Sequence, residues 1–163
     1  MAAHDSFAAY SEGLRHAGWR GCASGAYARK HVPWADFSNL RSSVNKPMTA
    51  FPVDPSALPA LSFVIPDLDH DMHDGTVAAG DRWVRQHLRR FAGWAAAHRS
   101  LLIITWDEDD HSENNRIPTL AVGAGVQRGS WSDRVNHYRL LRTLADALHI
   151  RPSREGGLDP RTE

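Results

Sequence analysis

The sequence predicts an α/β fold with a mostly parallel sheet, and three observations lead there. Leu61-Ser62-Phe63-Val64-Ile65 and Leu101-Leu102-Ile103-Ile104-Thr105 are short apolar runs rich in β-branched residues, the pattern of strands buried on both faces. Between them, residues 80–99 place Val84, His87, Leu88, Phe91, Trp94 and Ala95 on one helical face, with Arg82, Arg85, Arg89 and Arg90 mostly opposite. Strand, helix, strand then forms a β-α-β unit, which should be parallel and right-handed. Both strands end abruptly in acids and histidines. That end is the carboxyl edge, where open α/β sheets bind ligands.

The other elements follow in chain order. Phe7, Tyr10 and Leu14 fall at helical spacing, so a short amphipathic helix is expected between Ser6 and Ala17, broken by Gly18 and Gly21. In Tyr27-Ala28-Arg29-Lys30-His31-Val32-Pro33-Trp34, two cations and a histidine precede a proline-limited turn. Such a cluster suits an anionic substrate, with Lys30 and Arg29 as the binding groups, or is an ordinary basic surface turn. Pro47, Pro52, Pro55 and Pro59 exclude a regular helix or central strand from 42–60, which reads as a surface loop packed on the body through Phe51, Val53 and Leu58. After the acids, Ile117–Gly123 makes a third short strand. Asn136 is a good N-cap for a final helix carrying Leu140, Leu141, Leu144 and Leu148. His137 then sits at a helix start, where backbone N–H groups favour an anion. Residues 151–163 read as a frayed tail.

At 163 residues the chain is expected to be one domain, 1–163. The formal net charge is zero, so nothing in the bulk composition points to nucleic acid or an anionic membrane. No run is long enough to span a membrane or anchor the chain there. Residues 1–5 lack the pattern of a signal peptide. The single cysteine, Cys22, cannot form an internal disulfide.

The chemistry concentrates at the two strand ends. Four adjacent carboxylates, Asp107 to Asp110, repel one another and need a cation or strong donors to hold them. Asp107 and Glu108, at the strand end itself, are the candidate ligands of a divalent metal ion, while Asp109 and Asp110 read rather as a solvated acidic turn. Asp67, Asp69, His70, Asp71, His73 and Asp74 follow the other strand. Not all of them can be ligands, and His70 and Asp74 suit solvation or capping as well. Metal, carboxylates, imidazoles and a cationic patch together suit hydrolysis of a phosphate ester, in which histidines protonate the leaving group or hold oxygens. A non-catalytic acidic metal site would look similar.

The segments 21–34, 62–75, 105–110 and 136–144 resemble, in the same order, the motifs of the bacterial phosphoesterase family of secreted acid phosphatases and phospholipases C, within the alkaline phosphatase superfamily. The resemblance implies an alkaline-phosphatase-like three-layer sandwich with a mostly parallel sheet and metal-dependent hydrolysis of phosphate esters. It implies that Asp107 and Glu108 ligate the metal and that His73, His31 and His137 are the catalytic histidines. Members of that family are typically secreted or extracytoplasmic. The family also carries an N-terminal region with further metal ligands, strands and a Ser or Thr nucleophile. None of Ser6, Ser11 or Ser24 stands in that nucleophile's motif, so no nucleophile is assigned. The expectation is a C-terminal part with N-terminal strands missing, impaired as an enzyme, and with an exposed sheet edge open to self-association. The alternative is a non-catalytic metal- or phosphate-binding remnant that docks with another chain.

Overall fold

A computed structural model describes residues 6–150. At its centre lies β1, Phe7–Ser11, where the spacing of Phe7, Tyr10 and Leu14 predicts a helix. The structure corrects that expectation. Ala8, Ala9, Tyr10 and Ser11 are all buried, between 0% and 3% exposed. A surface helix keeps one face wet, whereas a run with no wet position suits a central strand covered on both faces. β4, Asn45–Pro47, and β5, Leu61–Ile65, flank β1 in the order β4-β1-β5, every pairing parallel. Phe7 pairs with Leu61, Ser11 with Ile65, and Ala9 with Asn45. Pro47 stands on the edge strand, where an absent ladder donor is tolerated. The buried Ser11 hydroxyl donates to Asn45 Oδ1 at 3.0 Å.

The hydrophobic core gathers Ala9, Leu14, Tyr27, Val32 and Trp34, with Phe7 and Ile65 packed against them. Trp34 meets Phe7 edge-on at 6.2 Å. Phe51, from the proline-rich 42–60 crossing, packs its ring edge-on against Tyr10 at 5.1 Å. β2, Ala23–Ser24, and β3, Tyr27–Ala28, form a small antiparallel hairpin whose turn places Gly25 at φ +59°, a conformation glycine adopts without strain.

Helix α1 spans Val77–Ala95, starting and ending earlier than its apolar pattern predicts. Thr76 caps it by accepting the Ala79 N–H, and Trp83, Leu88 and Ala95 are its buried apolar residues. It leads to β6, Leu102–Thr105. Here the structure corrects a second expectation, that of a parallel β-α-β unit with the two apolar strands side by side. β6 pairs antiparallel with β7, Thr119–Val122, in a separate sheet, while β5 pairs with β1. α1 therefore joins two sheets. β6 is half-buried at every position and β7 exposed at every position, so neither is a strand sealed on both faces. Helix α2, His137–Ala147, starts where Asn136 predicts, with the Asn136 side-chain Oδ1 accepting the Arg139 N–H at 3.0 Å. Among the described residues no helix is long and apolar enough to cross a membrane. The expected frayed tail, 151–163, lies outside the described residues.

Candidate functional site

The site forms where the loop after β5 meets the turn after β3. The sequence Arg29-Lys30-His31 winds as a short 3-10 turn, which Pro33 ends by starting the next. This turn sends Arg29 and Lys30 to different partners. The Arg29 guanidinium forms an ion pair with Asp36 and donates to the Arg20 carbonyl at 3.2 Å, tying it to the surrounding turn. Lys30 Nζ lies 3.3 Å from His73 Nε2. An ammonium only donates, so His73 Nε2 accepts, and its proton sits on Nδ1, 3.0 Å from Asp74 Oδ1.

His31 and His73 come together, their ring centres 6.1 Å apart. Asp71 organises both. Its Oδ2 lies 3.0 Å from His31 Nδ1, and its Oδ1 accepts the His73 backbone N–H at 2.8 Å. The His31 Nδ1–H thus points at a carboxylate, leaving Nε2 as the ring's acceptor nitrogen. A carboxylate in this position fixes the tautomer and orientation of an imidazole. Sequence reasoning missed Asp71 as an orienting group because it was one of several acids in a row. Its spacing, two residues before His73, was the available signal.

The second strand end abuts the first. Trp106, directly after β6, donates its indole N–H to the Asp71 carbonyl at 3.2 Å. Asp107 and Glu108 follow, exposed, and line an open depression with Asp109, His111, Asn114 and Asn115. Although partial desolvation works the other way, the N–H groups of Glu113, His111 and Asn115 hold the Asp109 carboxyl below its ordinary range. These donors make 109–115 a self-satisfied turn, one of the two readings of that segment. Asp110 is likewise lowered, chiefly by the Ser112 hydroxyl and then its N–H. His137 reaches back from the start of α2 and donates from Nε2 to the Asp107 carbonyl at 2.9 Å.

A third cluster lies at the base of the same loop. Glu12, Asp67 and His70 offer ligand atoms that all lie within 4.8 Å of one another, close enough to hold a metal ion. The same atoms already bond to each other: His70 Nδ1 is 3.0 Å from Glu12 Oε2 and 2.9 Å from Asp67 Oδ1. Burial disfavours charge on His70, but Glu12 and then Asp67 outweigh it and raise its pKa above the ordinary imidazole value. Burial, followed by the Glu12 charge, raises Asp67. Glu12 is hidden in the sequence because Phe7, Tyr10 and Leu14 around it have helical spacing. An apolar run ending in an acid was the same signal that marked the other two strands.

The sequence profile of the Phosphoesterase family matches residues 1–151. A phosphatidylinositol-3-phosphatase of Mycobacterium tuberculosis (strain ATCC 25618 / H37Rv) is 46% identical over 146 residues, 88% of this chain and 49% of that protein. The chain thus spans about half the length of that relative. No solved structure matches.

Proposed function

This chain belongs to the Phosphoesterase family, and from that premise we propose that it serves the hydrolysis of phosphate esters, with His31, His73 and Lys30 facing the phosphoryl group. The observation that supports this best is the pairing of His31, held by Asp71 at 3.0 Å, with His73, set 3.3 Å from the Lys30 ammonium. An ammonium beside two imidazoles offsets phosphate charge, and imidazoles held in one tautomer move a proton to or from an ester oxygen. The name of the mycobacterial relative suggests a phosphomonoester on a lipid headgroup, phosphatidylinositol 3-phosphate, as the substrate class. We read 1–163 as a single phosphoesterase domain of alkaline-phosphatase-like three-layer form.

The cofactor we propose is a divalent metal ion at Asp107 and Glu108. Exposed carboxylates beside an amide and further acids form a hard oxygen donor set, which suits Ca²⁺, Mg²⁺ or Mn²⁺. Asp107 and Glu108 would hold such an ion, which would supply Lewis-acid polarisation of a phosphoryl oxygen. His137, bonded to the Asp107 carbonyl, steadies the backbone that carries those carboxylates. The nucleophile stays unassigned among the described residues, so we expect turnover of p-nitrophenyl phosphate by this chain alone to be near background.

Binding is therefore the direct test. Calorimetry with inorganic phosphate should show binding that weakens at least about 10-fold in His73→Ala. Titration with each divalent ion should give heat that Asp107→Ala removes. An absence of phosphate binding in the unaltered chain would remove the ground for this reading.

One observation favours a second reading, docking onto another chain. Leu120, Val122, Trp131, Val135, Tyr138 and Leu141 are all exposed, and they belong to β7, α2 and the segment between them. Exposed apolar residues on neighbouring elements mark interaction surfaces. A single monomeric species across a concentration series, unchanged by added partner fragments, would count against it.

A further inference from the structure

The loop that presents Asp71 and His73, residues 67–75, has no strand ladder of its own, so something else must fix it. Its outer turns are wound on backbone bonds: Leu68 N–H to the Ala26 carbonyl at 3.0 Å, Asp71 N–H to Asp67 at 2.8 Å, and Asp74 N–H to Leu68 at 2.9 Å. It is crowded as well. A Cβ on Gly75 would fall 1.7 Å from the Asp69 carbonyl oxygen, and Met72 sits at φ +76°. These contacts shape the loop but tie it to the sheet only weakly.

The Trp106 indole ties the loop to the end of β6 through the Asp71 carbonyl, and the tie to the β4-β1-β5 sheet comes from Glu12. The β1–β5 ladder runs one step past β1, with the Glu12 N–H bonded to the Ile65 carbonyl at 2.9 Å, so Glu12 stands at the carboxyl end of the central strand. Its Oε2 accepts the Asp67 N–H at 3.1 Å and meets His70 Nδ1 at 3.0 Å. Asp67 Oδ1 lies 2.9 Å from the same nitrogen and accepts the Asp69 N–H at 3.2 Å. Opposite two carboxylates, Nδ1 can only donate, and it bridges the strand end to the loop. The outer side of the imidazole stacks on Trp83 of α1 at 6.5 Å, and Trp83 in turn meets His87 at 4.7 Å.

We propose that Glu12 and His70 are positioning residues for the His31–His73 pair, holding Asp71 and His73 in place by anchoring the 67–75 loop to the end of β1. Asp71 is the third residue of this chain of contacts: one residue after His70, it both orients His31 and accepts the His73 N–H. Site geometry tolerates only about 0.5 Å of drift, so an unanchored loop would misplace both imidazoles. The consequence for phosphate rests on the proposed function; the placement of the imidazoles does not.

Two variants of the full chain separate the anchor from simple packing. His70→Phe keeps a ring against Trp83 but has no donor. His70→Gln keeps a donor and loses the ring. The readout is the imidazole NMR spectrum, with His31 and His73 assigned by single replacements, followed by inorganic phosphate binding. His70→Phe is expected to displace the His31 and His73 resonances and weaken phosphate binding about 10-fold, while His70→Gln stays close to the parent in both. Unmoved resonances in His70→Phe, or a His70→Gln as disturbed as His70→Phe, would overturn the proposal. Should His70→Phe not fold, Glu12→Leu decides: it has no acceptor for the Asp67 and His70 N–H groups, so it must move the same resonances, and an unchanged spectrum rejects the anchor. If the parent chain binds no phosphate, the phosphate reading fails alone, since the resonances still report the anchor.

Discussion

The β4-β1-β5 sheet and the β6–β7 sheet use similar strand sequences and finish in opposite surroundings. Phe-Ala-Ala-Tyr-Ser in β1 lies between two parallel neighbours, and its last four residues are sealed from water. Thr-Leu-Ala-Val in β7 is exposed throughout, and Leu120 and Val122 face solvent. An apolar run makes a strand in both places. What differs is the cover: Tyr27, Val32 and Trp34 close over the first sheet, and the second has no comparable layer among the described residues. Apolar sequence therefore specifies the strand, and only its neighbours decide whether it becomes core.

Paired tryptophan truncations break this comparison most strongly. Trp34 is 7% exposed within the core, and Trp131, in the segment that follows β7, is 59% exposed. Trp34→Ala should lose about 3–5 kcal/mol and Trp131→Ala less than about 0.5 kcal/mol, both read from urea midpoints. Equal losses would mean that the two regions share one buried layer. A smaller effect probes the join between them. Trp106→Phe removes the indole N–H from the Asp71 carbonyl and should cost about 1–2 kcal/mol, with faster amide exchange in 67–75 than elsewhere.

The gentlest test is pH. The folded-state pKa of His70 is raised, so its contribution is fully present below the ordinary imidazole pKa and is lost as pH rises through the folded value. The raised Asp67 acts in the same direction at lower pH, since its protonated form is the one folding favours. Solvent reaches about a third of the His70 side chain and screens the pair, so the effect is modest. Amide protection in 67–75 should fall between mildly acidic and mildly alkaline pH while that of β1 holds. Equal protection at both ends of that range in 67–75 would mean that His70 charge does not matter to the loop.

Much of this architecture was legible in the residues. β5, β6 and β7 announced themselves as apolar runs, α1 by its one-sided arginines, and the start of α2 by Asn136. β1 did not, because Phe7, Tyr10 and Leu14 repeat at helical spacing and nothing local reveals that Ala8 and Ala9 are buried too. Misreading β1 hid Glu12, and with it the base of the 67–75 loop. The strand pairing was equally out of reach: whether β6 joins β5 or β7 depends on which edge is free, a tertiary property. His31, His73 and Lys30 do meet as a group. Arg29, adjacent in sequence, turns to Asp36, because consecutive residues in a 3-10 turn diverge.

The central position of β1 also constrains how the chain acquires its structure. Its partners are Asn45–Pro47 and Leu61–Ile65, far along the chain, with no closer strand to pair with in the sheet. On the ribosome, β1 therefore leaves the exit tunnel before either neighbour has emerged, and its apolar side chains wait unpaired during that interval. Parallel pairing across such separations is slow, so the nascent segment stays open to wrong pairing until Ile65 has emerged.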